Sequence, residues 1–268
     1  MKWNKEIHEP SLPEVNKSIF VRREGSFWNQ LRAFIGPGLL VAVGYVDPGN
    51  WATALEGGSR FGFTLLSVIL ISNLFAMLLQ HLSLKLGIAT GKDLAQACKS
   101  SYSKPVSYFL WFTAEIAIAA CDLAEVLGMA IGLNLLFNIS LLDGVIITVL
   151  DTFLLLFLIN KGIRKMEAFI FVLVATIGGS FLAEMIIAKP DLAAAAKGLV
   201  PSALSPGALY IAVGMIGATV MPHNLYLHSA LVQTRKIERT SAGIKKSLWY
   251  NFIDSAVALN AELIKATK

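Results

Sequence analysis

Charge is scarce in this sequence. Of its 268 residues only 15% are Asp, Glu, Lys or Arg, against 55% hydrophobic, and the mean hydropathy is +0.63. That balance excludes an ordinary soluble domain, which needs more polar surface to cover a core of this size. Cysteine is nearly missing. Cys98 falls in a polar loop and Cys121 in an apolar helix, so no disulfide framework is expected. The first 30 residues are polar and charged, so no cleavable signal peptide is expected. No HExxH and no nucleophile–base pair is present, so enzymatic work is not expected. The net charge of +5 would hint at nucleic acid in a soluble protein; here it reflects topology instead.

What is present is a series of long apolar runs. Six reach the roughly 20 residues a bilayer requires. They cover about 31–57, 62–87, 105–136, 139–160, 166–187 and 206–232. A seventh begins near Leu248 and fades after roughly 16 residues, short of a span. The expected class is therefore all-α and polytopic. Residues 1–30 form a tail, and 31–268 form the transmembrane domain. Lys and Arg orient it. With the amino terminus inside, the inner loops hold Lys85, Lys92, Lys99 and Lys104, then Lys161, Arg164 and Lys165, then Arg235, Lys236, Arg239, Lys245 and Lys246. The outer loops hold Arg60, Lys189 and Lys197. Positive charge favours the cytoplasmic side, so a cytoplasmic tail is expected. Within the tail, SIFVRREGSFWNQLR mixes aromatics with Arg, as an interfacial stretch does. A disordered tail without a role reads equally well.

Residues 46–51, VDPGNW, sit inside the first apolar run. A charge at mid-bilayer costs at least about 2.5–3.5 kcal/mol. Pro48 removes a backbone donor and Gly49 admits unusual conformations. The helix is expected to unwind here, which a membrane tolerates where backbone lines a cavity or is buried in protein. Freed carbonyls, the Asp47 carboxylate and the Asn50 amide oxygen then outline a cation site. A proline kink with a solvated Asp is the alternative. The sixth segment repeats the pattern in GMIGATVMPHNLYLHSALVQ, where Pro222 breaks the helix. Two interrupted helices point to a midplane transport site. Their positions, first and sixth, fit a five-helix repeat whose second copy is inverted. Met221 offers a thioether, which softer transition ions accept and Mg²⁺ or Ca²⁺ do not favour. Core packing is the other reading of Met221.

The third segment, WFTAEIAIAACDLAEVLGMAIG, carries Glu115, Asp122 and Glu125. At about 100° per residue, seven and ten steps leave about −20° and −80°, so all three share one side of a helix. Carboxyls so placed mark an ion or proton path, or else a buried salt-bridge network. His223 and His228 offer groups that change charge near neutral pH. Arg235 closes the sixth segment, where it can pair with one carboxylate.

DPGN at 47–50, MPHN at 221–224 and DLAE at 122–125 resemble the Nramp family of proton-coupled divalent metal transporters. GPGLLVAVGYVDPGNWAT is similar to that family's first-helix signature. The match runs from about residue 30 to about residue 260. The resemblance implies a LeuT-like fold of two inverted five-helix repeats plus an extra helix or so. It implies that Asp47, Asn50, Met221 and the Ala218 carbonyl bind the metal. It further implies that His223, Asp122, Glu125, His228, Glu115 and Arg235 belong to a proton path and its charged network. The expected substrate is Mn²⁺ or Fe²⁺, moved with protons, with no cofactor and no nucleic-acid partner. The expected setting is a bacterial cell membrane; self-association is left open. Family members carry about eleven or twelve helices, and this chain stops in the seventh. It is therefore expected to be a truncated product, with the second repeat incomplete. A non-transporting membrane module that binds metal or a partner is the competing expectation. A sodium-coupled amino-acid carrier on the same fold is disfavoured by the carboxylate at the first break.

Overall fold

The computed structural model describes residues 10–13, 15–21, 31, 33–34, 36–45, 47–159, 163–238 and 240–260. The first apolar run is two helices, α1 (Pro37–Tyr45) and α2 (Pro48–Phe61). A 3-10 turn at Gly62–Leu65 leads into α3 (Leu66–Thr90). Then come α4 (Leu94–Ser101), α5 (Lys104–Phe137), α6 (Leu141–Ile159), α7 (Ile163–Ala188) and α8 (Leu192–Gly198). The sixth run is divided like the first, into α9 (Pro206–Thr219) and α10 (Pro222–Leu231). A second 3-10 turn at Val232–Thr234 precedes α11 (Ser241–Asn260).

Three elements depart from the sequence expectation. Cys98 lies in α4 rather than in a loop, because Asp93 and Gln96 close a capping box that starts a helix from mostly polar residues. The short α8 follows Asp191, whose Oδ1 accepts from the Ala193 and Ala194 backbone N–H groups. The seventh segment begins at Ser241, not near Leu248, and runs 20 residues. At 1.5 Å per residue that is about 30 Å, but the helix is not among the described stretches apolar enough to cross a membrane, which agrees with an incomplete seventh span. The Thr240 hydroxyl accepts from Gly243 N at 3.1 Å and starts this helix in a stretch where Lys245 and Lys246 depress the hydropathy. In the tail, β1 (Ile19–Phe20) pairs in parallel with β2 (Arg235–Lys236). Residues 22–30 and Arg32 of the aromatic–Arg stretch lie outside the described residues, as do Lys161 and Arg239.

Burial departs from that of a soluble protein, with polar side chains inside beside the apolar core and large apolar side chains outside. Gln80, His228, Ser229 and Thr234 are fully buried, whereas Leu136, Ile187, Tyr108 and Phe109 are 77%, 80%, 68% and 65% exposed. Polar groups inside and apolar groups outside suit a chain whose surroundings are hydrocarbon. Among the described residues, four stretches are long and apolar enough to cross a membrane: Val43–Thr90, Lys104–Phe137, Lys165–Ala188 and Pro206–Thr234. The two broken helices pack crosswise, α9 against α2 and α10 against α1. One apolar cluster of Leu40, Val41, Tyr45, Ala76 and Leu231 ties α1 to α3 and α10. Another, of Leu65, Ala208, Ile211, Ala212 and Met215, ties α9 to the 3-10 turn.

The restart of α2 rests on α5 at Gly128. A Cβ there would fall 2.6 Å from Pro48 Cβ and 2.7 Å from its carbonyl carbon. Only a glycine lets the two helices approach so closely. Gly128→Val is expected to lower stability by about 1–3 kcal/mol through overpacking. The readout is the melting temperature of the purified chain in detergent, at about 2–4 °C per kcal/mol. An unchanged midpoint would mean that α2 yields without strain.

Candidate cation site at the paired helix breaks

Both breaks are helix restarts, and each restart has its own cap. Asp47 is the N-cap of α2, and its Oδ1 accepts from Asn50 N at 2.5 Å. Pro48 occupies the first turn, where its missing N–H is no loss. At the second break Met221 is the N-cap of α10, in extended conformation (φ −81°, ψ 121°), again with proline next. A methionine makes no side-chain cap bond there. Ser, Thr, Asp or Asn would stabilise the restart by roughly 0.5–2 kcal/mol, so helix capping does not explain the choice of sulfur.

The breaks meet through Asn50. Its Nδ2 donates to the Ala218 carbonyl at 3.0 Å and approaches the Gly44 carbonyl at 3.4 Å. The sequence anticipates the amide oxygen as a donor; in the structure the amide nitrogen faces Ala218. The amide N–H thus lies between two backbone carbonyls, one from each broken helix. The last torsion of an Asn side chain is broad and roughly two-fold. Turning the amide over would present Oδ1 instead, beside the Ala218 carbonyl. Asp47 is 8% exposed and Met221 1%. One carboxylate, one amide oxygen, one carbonyl and one thioether can together hold a divalent cation. Among the described residues, no three His, Cys, Asp or Glu side chains gather into a conventional metal cluster.

The third-segment carboxyls divide. Glu125 on α5 is half-buried, lies within electrostatic range of Asp47, and stands 3.9 Å from His223 Nε2. The other ring nitrogen of His223, Nδ1, is buried without a hydrogen-bond partner. Asp122 is exposed, one turn earlier on the same helix. Glu115 is exposed and accepts from Trp111 Nε1 at 2.9 Å within its own helix, so it is not drawn into the Glu125–His223 pair. His228 is fully buried, and its Nδ1 lies 2.8 Å from Gln80 Oε1. Gln80 in turn donates to Tyr45 Oη at 3.0 Å. This buried chain links α1, α3 and α10 on the side of the breaks toward the tail.

Arg235 has an ion pair at 2.9 Å with Glu167 of α7, whereas the sequence offers the third-segment carboxyls as partners. Its Nε donates to the Ala33 carbonyl and its Nη1 to Thr234 Oγ1. Asp254 of α11 accepts from Gly38 N at 2.8 Å, capping α1 from another helix. Gly36, at φ +142°, leaves room for this cluster; a Cβ there would fall 2.2 Å from Glu167 Oε1. Sequence reasoning passed over Glu167 and gave Asp254 no role. The available signal was a Glu just inside the fifth apolar run, where an ionisable group needs a partner.

Comparison with known proteins follows the same outline. A family model described as natural resistance-associated macrophage protein-like, Nramp, matches residues 38–267. A divalent metal cation transporter, MntH, of Listeria monocytogenes is 55% identical over 265 residues, covering 98% of this chain and 59% of its own. The protein of the same name from Nostoc sp. is 54% identical over 259 residues, covering 96% of this chain and 59% of its own. A crystal structure of an Eremococcus coleocola manganese transporter superposes with TM-score 0.85 at 45% identity, covering 96% of this chain and 54% of that one. The chain thus spans somewhat over half the length of the relatives it matches.

Proposed function

The chain belongs to the Nramp family, and on that premise we propose that it is a secondary transporter coupling proton movement to uptake of a divalent transition metal. It is an integral membrane protein. The proposed substrate is Mn²⁺ or Fe²⁺, carried to the cytoplasm, with the tail on the cytoplasmic face. The observation that carries the reading is the bond from Asn50 Nδ2 to the Ala218 carbonyl, which closes the two breaks on each other. Around it, Asp47 supplies negative charge, and Asn50 and Ala218 supply oxygen. Met221 supplies the sulfur that disfavours Ca²⁺ and Mg²⁺. Relatives named as a divalent metal cation transporter and a manganese transporter support that choice of ion.

Proton movement is assigned to α5 and α10. Glu125 and His223 face each other near Asp47, and Asp122 continues the line along α5. His228 and the buried Arg235 are assigned to the wider polar network, whereas Glu115, bonded to Trp111 of its own helix, stands outside it. None of these groups requires enzymatic chemistry.

The test uses proteoliposomes carrying this chain, with Mn²⁺ outside and an inward proton gradient. Mn²⁺ uptake with acidification of the lumen is expected. His223→Ala is expected to retain Mn²⁺ binding and to lose the acidification. Unchanged metal-driven acidification would remove His223 from the path. Binding without any uptake would favour the second reading, a membrane module that holds metal without moving it.

A further inference from the structure

The two restarts share a four-position frame: Asp47-Pro48-Gly49-Asn50 and Met221-Pro222-His223-Asn224. In each, the first residue is the N-cap, proline follows it, and Asn is the third helical residue. A polar side chain at that third position can fold back toward the cap. Asn50 instead reaches across to Ala218, three residues before the other cap. Asn224 mirrors it. Its Nδ2 packs against Gly44, three residues before Asp47, where a Cβ would fall 2.1 Å from it. The same nitrogen is 3.5 Å from the Val41 carbonyl and 3.6 Å from Met221 Sδ. Asn224 is 3% exposed and Met221 1%. The frame is thus used twice, and on the second side it places a donor on the sulfur.

A thioether on an unbranched chain with three rotatable bonds is adaptable, which serves packing and works against selective binding. Its freedom must be lost when a cation binds. We propose that Asn224 is the positioning residue for the Met221 thioether, and through it a determinant of the preference for soft cations. This rests on reading the paired breaks as a cation site. Sulfur has two lone pairs. The Asn224 N–H engages one and fixes the side chain, leaving the other for the ion. Because a soft ion depends on sulfur more than a harder ion does, loosening the thioether falls unevenly on the two.

The test is calorimetric titration of the purified full chain in detergent with Cd²⁺ and, separately, Mn²⁺. Asn224→Ala and Asn224→Leu remove the N–H; leucine keeps the volume where alanine destabilises the packing. Both are expected to weaken Cd²⁺ binding roughly tenfold more than Mn²⁺ binding, within the range seen when a group supporting a metal ligand is removed. In a Met221→Ala background, Asn224→Ala is expected to leave the Cd²⁺/Mn²⁺ ratio unchanged, the signature of action through the sulfur. Equal weakening of both ions, no change, or a ratio shift that persists without the sulfur would overturn the inference and leave Asn224 a packing residue. A wild-type chain that binds neither ion in an Asp47-dependent way overturns the site itself, and this inference with it. That result differs from the others because it appears before any Asn224 variant is made.

Discussion

Asp47→Asn is expected to lose Mn²⁺ binding while keeping the wild-type melting temperature. Asp47 does two things in the structure. It caps α2 through Asn50 N, and it brings the one carboxylate among the four proposed ligands. Asn is as good a cap as Asp, so the substitution removes the charge and spares the helix. Losing one partner of a buried charge interaction costs about 2–5 kcal/mol, which is about 30-fold to several thousandfold in affinity. Asp47→Ala removes both roles and adds roughly 1 kcal/mol of lost capping. Isothermal titration with Mn²⁺, beside a melting curve for each variant, separates the two roles. An asparagine variant that binds Mn²⁺ within a few-fold of wild type would show that no negative charge is needed at the first break.

The second large effect concerns stability. In Glu167→Ala, Arg235 keeps a side chain with no solvent exposure and loses the carboxylate 2.9 Å away. Breaking a buried pair from one side costs about 3–5 kcal/mol, because the remaining charge loses its nearest counter-charge. The melting temperature of the detergent-solubilised chain is expected to fall by roughly 6–20 °C at 2–4 °C per kcal/mol. The double variant Glu167→Leu, Arg235→Leu is expected to recover part of that loss, since no guanidinium is left without its carboxylate, although the Ala33 carbonyl and the Thr234 hydroxyl lose a donor. A single Glu167→Ala variant as stable as wild type would mean that water or another group reaches Arg235, and that the cluster holds little together.

The broken helices were legible because proline and glycine act through the backbone alone. Pro48 and Pro222 mark the restarts whatever surrounds them. The long apolar runs were legible for a similar reason, since hydrocarbon imposes one rule over 20 residues. What the sequence left hidden depends on partners far along the chain. Arg235 announces a charge without naming its counterpart, and Glu167 lies 68 positions away. The direction of the Asn50 amide is set by the Ala218 carbonyl, which belongs to the other broken helix. Glu115, Asp122 and Glu125 do share one side of α5, but Glu125 stands 3.9 Å from His223 and Asp122 lies within its electrostatic range, whereas Glu115 accepts from Trp111 in its own helix. The start of α11 was hidden because a hydroxyl cap and two lysines carry no apolar signal.

The cap on α1 also constrains how the molecule is made. Gly38 and the Asp254 carboxylate that receives its N–H are 216 positions apart. A ribosome adding about 5–20 residues per second needs roughly 10–40 s to cover that interval. Throughout it, the entry of the first helix waits with an unanswered backbone donor while five further apolar segments emerge. The clasp around Arg235 is therefore complete only once residue 254 has emerged. Substitutions at Asp254 or Gly38 should register first as poor yield of assembled protein, before any fault in the finished one.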